Sequence, residues 1–180
     1  ISDPQRAADG DGIDDDPSDP GDGSGGQPNS WHGTHVAGTV AARTDDGSDS
    51  VAGAAWDAAR LMHMRAIGVG GGTAFDLSQA VRYAAGLETD APAPPPERAD
   101  IINMSIASAS DATVLREAIQ AAADVGVAMV ASAGNDNSST LFFPAAYDPV
   151  ISVSAVDING DKASYSNFGS TIDVAAPGGD

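Results

Sequence analysis

At 180 residues the chain is long enough to bury one sizeable core, and a single domain is the first expectation. With 26 acidic against 8 basic residues the formal net charge is -18, which disfavours nucleic acid and anionic membrane surfaces as partners. No apolar run is long enough to cross a bilayer, and without cysteine there are no disulfides and no reading of redox compartment.

The chain opens on Ile1 rather than Met, with no signal peptide before it, which suggests processing or a fragment. Residues 1–25 hold eight aspartates and one arginine, and residues 1–30 show hardly any apolar periodicity. They read as a loop that is either disordered or organised by ions. Lys162 is the only lysine, so a salt-rich habitat is a second explanation for the acidity.

Within this loop, Asp9-Gly10-Asp11-Gly12-Ile13-Asp14-Asp15-Asp16, followed by Asp19 and Asp22, sets oxygen donors at alternate positions with glycines between them. Hard cations such as calcium take about six to eight oxygens from short loops of this kind. No glutamate follows at the twelfth position, so the loop is not an EF-hand. The candidate ligands of a structural calcium ion are Asp9, Asp11, the Ile13 carbonyl, Asp14, Asp16 and Asp22; the plainer alternative is a solvated acidic run.

Asn29-Ser30-Trp31-His32-Gly33-Thr34-His35-Val36-Ala37-Gly38-Thr39-Val40-Ala41-Ala42 predicts a helix of small residues with a histidine at its mouth. Small residues allow close packing against a sheet, and a rigid, buried support suits a general base. The His-x-x-His pair could bind metal, but zinc helices favour i, i+4 spacing with an adjacent Glu, and none is near. His35 is expected to be a core residue.

Farther on, Ala59–Ile67 reads as a strand, Gly68–Gly72 as a flexible break and Phe75–Leu87 as an amphipathic helix. Residues 91–96 read as a surface linker. Ile101–Met104 is predicted as a short buried strand. Ser110 then caps a helix, with Asp111 in its first turn, that runs to about Val125 and stops at Gly126. Strands are predicted at Val127–Ala131, Val150–Val156 and Ile172–Ala175, with an Asn159-Gly160 hairpin turn between the last two. Alternating strands and helices, with several strands apolar on both faces, argue for a mostly parallel sheet covered by helices.

Two strand ends carry further polar groups. Asn103-Met104-Ser105-Ile106-Ala107-Ser108 follows one buried strand, and Ser132-Ala133-Gly134-Asn135 ends another. An asparagine amide beside a glycine turn can donate to a developing oxyanion, although Asn is also common in ordinary turns.

Taken together, the His32, Ser105 and Asn135 segments resemble the subtilisin-like serine proteases (subtilases, peptidase family S8). The resemblance implies that His32 is the catalytic base, His35 a supporting residue and Asn135 the side-chain donor to the oxyanion. It implies that Ser105, Ile106 and Ala107, with Ser132, Ala133 and Gly134, bind the peptide, and that Gly70 and Gly71 lie on a second strand clasping it. Typical members carry glycines where Ala107 and Ser108 stand, so the pocket is expected to be narrower. Phe143–Tyr147 is similar to a structural turn of the family, and residues 175–178 to the strand leading toward the nucleophile.

The implied fold is an α/β three-layer sandwich, a mostly parallel sheet flanked by helices, present only in part. Residues 1–30 would be the acidic calcium loop and residues 31–180 the core. The triad order in subtilases is Asp, His, Ser, and only the His lies here; Ser105 and Ser170 do not sit at a strand-to-helix elbow. By itself the chain is expected to hydrolyse nothing. The resemblance implies a secreted, monomeric serine endopeptidase made with an N-terminal pro-domain and acting on polypeptides. The alternative is an inactive, calcium-stabilised subtilase-like binding module.

Overall fold

The computed structural model describes residues 1–44, 47, 51–56 and 58–179, and these group into two compact units. The first is formed by residues 1–76 with 91–93, the second by residues 77–90 with the chain from Pro94 onward.

The second unit is built on a sheet of four strands, β1 (Ile101–Met104), β2 (Ala128–Ser132), β3 (Val150–Val156) and β4 (Val174–Pro177), in the order β1-β2-β3-β4. All three pairings are parallel, with Met104 opposite Ala131, Met129 opposite Val150 and Val153 opposite Val174. Parallel neighbours need a crossover, and α4 (Thr113–Asp124) supplies the one between β1 and β2. Its apolar residues Leu115, Ala118, Ile119 and Ala122 recur at helical spacing and are all buried. They meet Met104, Met129 and Ala131 from the sheet, and Val81 from α3 (Ala74–Ala84) joins the same core.

Because strand side chains alternate, the residues between those buried positions point the other way. Ile101, Ile151 and Val174 are exposed, so within this unit β1 is buried on one face only and is not the wholly buried strand expected.

Several borders differ from expectation. The α4 helix starts at Thr113 with Ala112 as its N-cap, whose methyl side chain offers no cap; the Asp111 carboxylate beside it accepts from Tyr147 Oη and Arg116. Ser110 N instead meets Ser108 Oγ. The stop holds: Gly126 has φ of 85° and donates to Ala123 O at 2.8 Å. The last strand lies two residues later than expected. The Asn159-Gly160 turn forms, with Gly160 N on Asp157 O at 3.2 Å, but β3 and β4 run parallel and the turn makes no hairpin between them. It leads instead to an isolated antiparallel bridge between Val156 and Lys162.

In the first unit, α1 (Pro4–Ala7) is a single turn absent from the sequence reading, capped by Asp3 and opened by Pro4. The α2 helix spans His32–Ala41. Ala54 and Ala55 donate to Thr39 O and Val40 O near its end. Ala59–Ile67 forms no strand. Its neighbourhood is tied to the N-terminal segment rather than to a ladder, with Val69 N on Arg6 O at 2.9 Å and Ile1 N on Arg65 O at 3.5 Å. Thr73 and Asp76 cap the start of α3 reciprocally: Thr73 Oγ1 donates to Asp76 Oδ2 at 2.7 Å and accepts from Asp76 N at 3.0 Å.

Candidate active site

In the first unit, His32 is the first residue of α2, and the chain enters through Trp31 in the left-handed region with φ of 49°. That conformation costs a bulky residue about 1–3 kcal/mol and persists only where its surroundings impose it. Asp22 supplies part of that constraint. It accepts from Ser30 N at 2.7 Å and Ser30 Oγ at 2.5 Å, and His32 N donates to Ser30 Oγ at 3.3 Å. The Ser30 hydroxyl first, and then its N–H, hold the Asp22 carboxyl below the usual carboxylate range. His32 is exposed.

His35 is also exposed and α2 has no buried residue, so the expectations of a core histidine and a buried support are corrected within this unit. A helix built of such small side chains covers little area, and its partners here are the short turn around Gly53–Ala55.

The acidic loop brings Asp9, Asp11 and Asp14 together, with one carboxylate oxygen from each lying within 4.8 Å of the others. Asp16 and Asp22 are not in this group. The Asp16 carboxylate takes Ser18 N at 2.9 Å, and that of Asp22 takes Ser30. Asp11 is pushed above the ordinary range, first by lost solvation and then by the charge of Asp14. Carboxylate oxygens crowded in this way fit a hard cation. Arg65, which sequence reading missed, reaches the same loop: it donates to Asp9 Oδ2 at 2.9 Å and Asp19 Oδ1 at 3.2 Å, with its side chain 9% exposed.

Gly70 and Gly71 adopt positive φ of 75° and 104° in a tight turn closed by Gly68 and Gly71, rather than an extended strand. The Gly70 carbonyl accepts from Arg6 at 3.3 Å.

In the second unit, the Ser105–Ala107 and Ser132–Asn135 segments leave the C-terminal ends of the adjacent parallel strands β1 and β2. Such ends are where open α/β sheets present their ligand sites. Asn103 Nδ2 donates to Ser105 Oγ at 3.0 Å, and among the described residues β1 is the outermost strand of this sheet. Asn135 is exposed beside a buried Gly134 of φ 106°, and Ala133 N is fixed on Val153 O at 2.9 Å. The loop beyond is held by residues no motif announced. Lys162 Nζ donates to Asn137 Oδ1 at 2.8 Å, and the buried Asn167 accepts from Asp136 N at 2.9 Å. A lone lysine in an acidic chain was visible in the sequence; the burial of Asn167 carried no signal there.

Comparison with known proteins agrees with this geometry. The model of the subtilase family matches residues 4–180. An extracellular protease of Xanthomonas campestris is 41% identical over 189 residues, covering 99% of this chain and 32% of that protein. Subtilisin DY of Bacillus licheniformis is 39% identical over 153 residues, covering 82% of this chain and 51% of its own length. A solved protease structure from Pseudoalteromonas arctica superposes with a TM-score of 0.92 at 40% identity, over 99% of this chain and 55% of that one. The chain thus spans between a third and about half of the relatives' lengths. The shared architecture is the α/β sandwich, a parallel sheet flanked by helices, and the chain belongs to the subtilase family of serine proteases.

Proposed function

We propose that the protein containing this chain is a secreted serine endopeptidase in which His32 is the general base and Asn135 the side-chain donor to the oxyanion. The observation that carries the reading is Asn135 on an exposed turn at the end of β2, beside a glycine and braced on both sides. A donor of this kind is useful only if it is fixed before charge develops.

In this reading His32 accepts the proton of a serine hydroxyl as the serine oxygen bonds to the peptide carbonyl carbon. The carbonyl oxygen becomes an oxyanion, and the Asn135 amide donates to it. When the carbon–nitrogen bond breaks, His32 returns the proton to the leaving amine, and water repeats the cycle on the acyl-enzyme. The serine and the aspartate that orients His32 would come from other parts of the protein. Ser105, Ile106 and Ala107 would add the substrate to the free edge of β1, since their backbone groups make no hydrogen bond among the described residues. Ser132, Ala133 and Gly134 would line the same end of the sheet, and Gly70 and Gly71 would contact substrate through a turn.

Asp9, Asp11 and Asp14 would hold a structural calcium ion, which supplies charge neutralisation to the loop and no step of the reaction. Secretion is supported by relatives described as extracellular proteases. A pro-domain in the precursor, a monomeric state and the lack of nucleic-acid or membrane partners belong to the same proposal.

The test is covalent labelling of the full-length protein with a serine-directed phosphonate, alongside peptide hydrolysis. Stoichiometric labelling with loss of hydrolysis is expected. A folded protein that binds peptides but neither labels nor cleaves them would be the calcium-stabilised binding module instead.

A further inference from the structure

Asn167 is 2% exposed and lies in the second unit, 32 positions along the chain from Asn135. Among the described residues its side-chain polar atoms bond only to the loop that carries that residue, while its carbonyl accepts from Ser166 Oγ at 3.1 Å. Oδ1 accepts from Asp136 N at 2.9 Å and from Ser138 N at 3.1 Å; Nδ2 donates to Ala133 O at 2.9 Å. Its own N–H donates to Gly134 O at 3.0 Å. These contacts fall on both sides of Asn135 and leave the Asn135 side chain free.

Only a primary amide of this length satisfies the set. An aspartate would turn a second acceptor toward Ala133 O, and a leucine would leave two N–H groups and a carbonyl without partners. Gly134 completes the fit, because a Cβ there would overlap Asn167 Nδ2. The far side of the loop is closed by Asn137 N on Tyr165 O at 2.8 Å and Phe168 N on Ser138 O at 3.1 Å.

We propose that Asn167 is a positioning residue for the oxyanion donor: it locks residues 133–138 so that the Asn135 amide is aimed before the tetrahedral intermediate forms. The proposal rests on the reading of Asn135 as that donor. A fixed donor need not reorganise as charge appears, and a misplacement of about 1 Å can cost about 10²-fold in rate.

The plainer role for a buried asparagine is to stabilise the fold, and a double-mutant cycle separates the two. Asn167→Asp and Asn167→Ala are made in the full-length protease, each alone and combined with Asn135→Ala. Melting temperature, KM and kcat per folded molecule are measured with a peptide substrate. Asn167→Asp is expected to lower kcat by ~10–100-fold with little change in KM. In the Asn135→Ala background the same change should lower kcat by no more than about twofold, since the donor it aims is gone. Equal losses in both backgrounds would overturn the proposal while leaving Asn135 as the donor. If Asn135→Ala alone leaves kcat unchanged, the oxyanion reading fails and the positioning role falls with it. Where Asn167→Ala does not accumulate folded, Asn167→Asp decides, because it keeps the volume and the acceptor for Asp136 and Ser138.

Discussion

The Arg65 guanidinium donates to Asp9 Oδ2 at 2.9 Å, so one of the three clustered carboxylates already has a protein cation at its side. Arg65 also reaches Asp19, which makes it the tie between the segment after Arg60 and the acidic loop. Arg65→Met should destabilise the protein by about 1–3 kcal/mol, the range for hydrogen bonds to charged groups left without their partner. Urea unfolding measures this, and the loss should be larger in chelator than in calcium. An unchanged midpoint in chelator would show that the tie contributes nothing.

Calcium binding to the folded state alone would add RT ln(1 + [L]/Kd), roughly 2.7 kcal/mol at a hundredfold excess over Kd. Thermal melting with calcium and with chelator should show a clear difference in the wild type and none in an Asp9→Ala/Asp11→Ala double variant. Asp16→Ala should retain the calcium response, since Asp16 lies outside the group of three carboxylates. The experiment is repeated at high salt, because screening of the acidic surface stabilises without any specific site.

Asp76 is 4% exposed and accepts from Ser2 N at 2.6 Å and Thr73 Oγ1 at 2.7 Å. Burial pushes its carboxyl up, but the Thr73 hydroxyl and the Ser2 N–H outweigh it, and the folded-state pKa is lowered. A carboxylate lowered in this way adds stability above its unfolded pKa of about 3.9, and that stability is lost as pH falls through the lower folded value. Asp76→Asn should therefore lower the melting temperature at pH 6, with the gap to wild type closing as pH drops below about 4. A gap that stays constant or widens in acid would mean that the charge of Asp76 is not what is used.

If Asn135 is the oxyanion donor, Asn135→Ala should lower kcat by about 10²–10³ while KM moves little, the magnitude for an oxyanion-hole asparagine in a subtilisin. A turn residue would instead tolerate Asn135→Gly and show its damage in melting temperature. Measuring both quantities on the same variants separates the two roles.

How much of this was legible in the sequence depends on the range of the interaction. Val150–Val156 and Ile101–Met104 are read correctly because a short apolar run between turn residues carries its own signal. The face each strand buries is set by α3 and α4, and Ile101 on the open side could not be told from Met104 on the closed one. The helix start was misplaced at Ser110: the helix begins three residues later at Thr113, and Asp111 bonds instead to Tyr147, distant in sequence. Asp9, Asp11 and Asp14 are close enough in sequence for spacing to bring them together, whereas Asp16 and Asp22 share the spacing without joining that group. The proposed roles of His32 and Asn135 rest on the wording of their segments. Asn167 and Arg65 carried no such signal, since neither side chain bonds to its own neighbours in the chain.

The central claim is that His32 moves the proton in peptide hydrolysis, and the most direct measurement is the kcat of His32→Ala in the full-length protein. Without the base the serine keeps its proton, and kcat should fall by roughly 10⁶-fold, the loss for the catalytic histidine of a subtilisin, with the melting temperature nearly unchanged because His32 is exposed. A folded His32→Ala protein that still cleaves peptides within about tenfold of the wild-type rate would contradict the account, since loss of the general base alone is worth at least about 10²-fold.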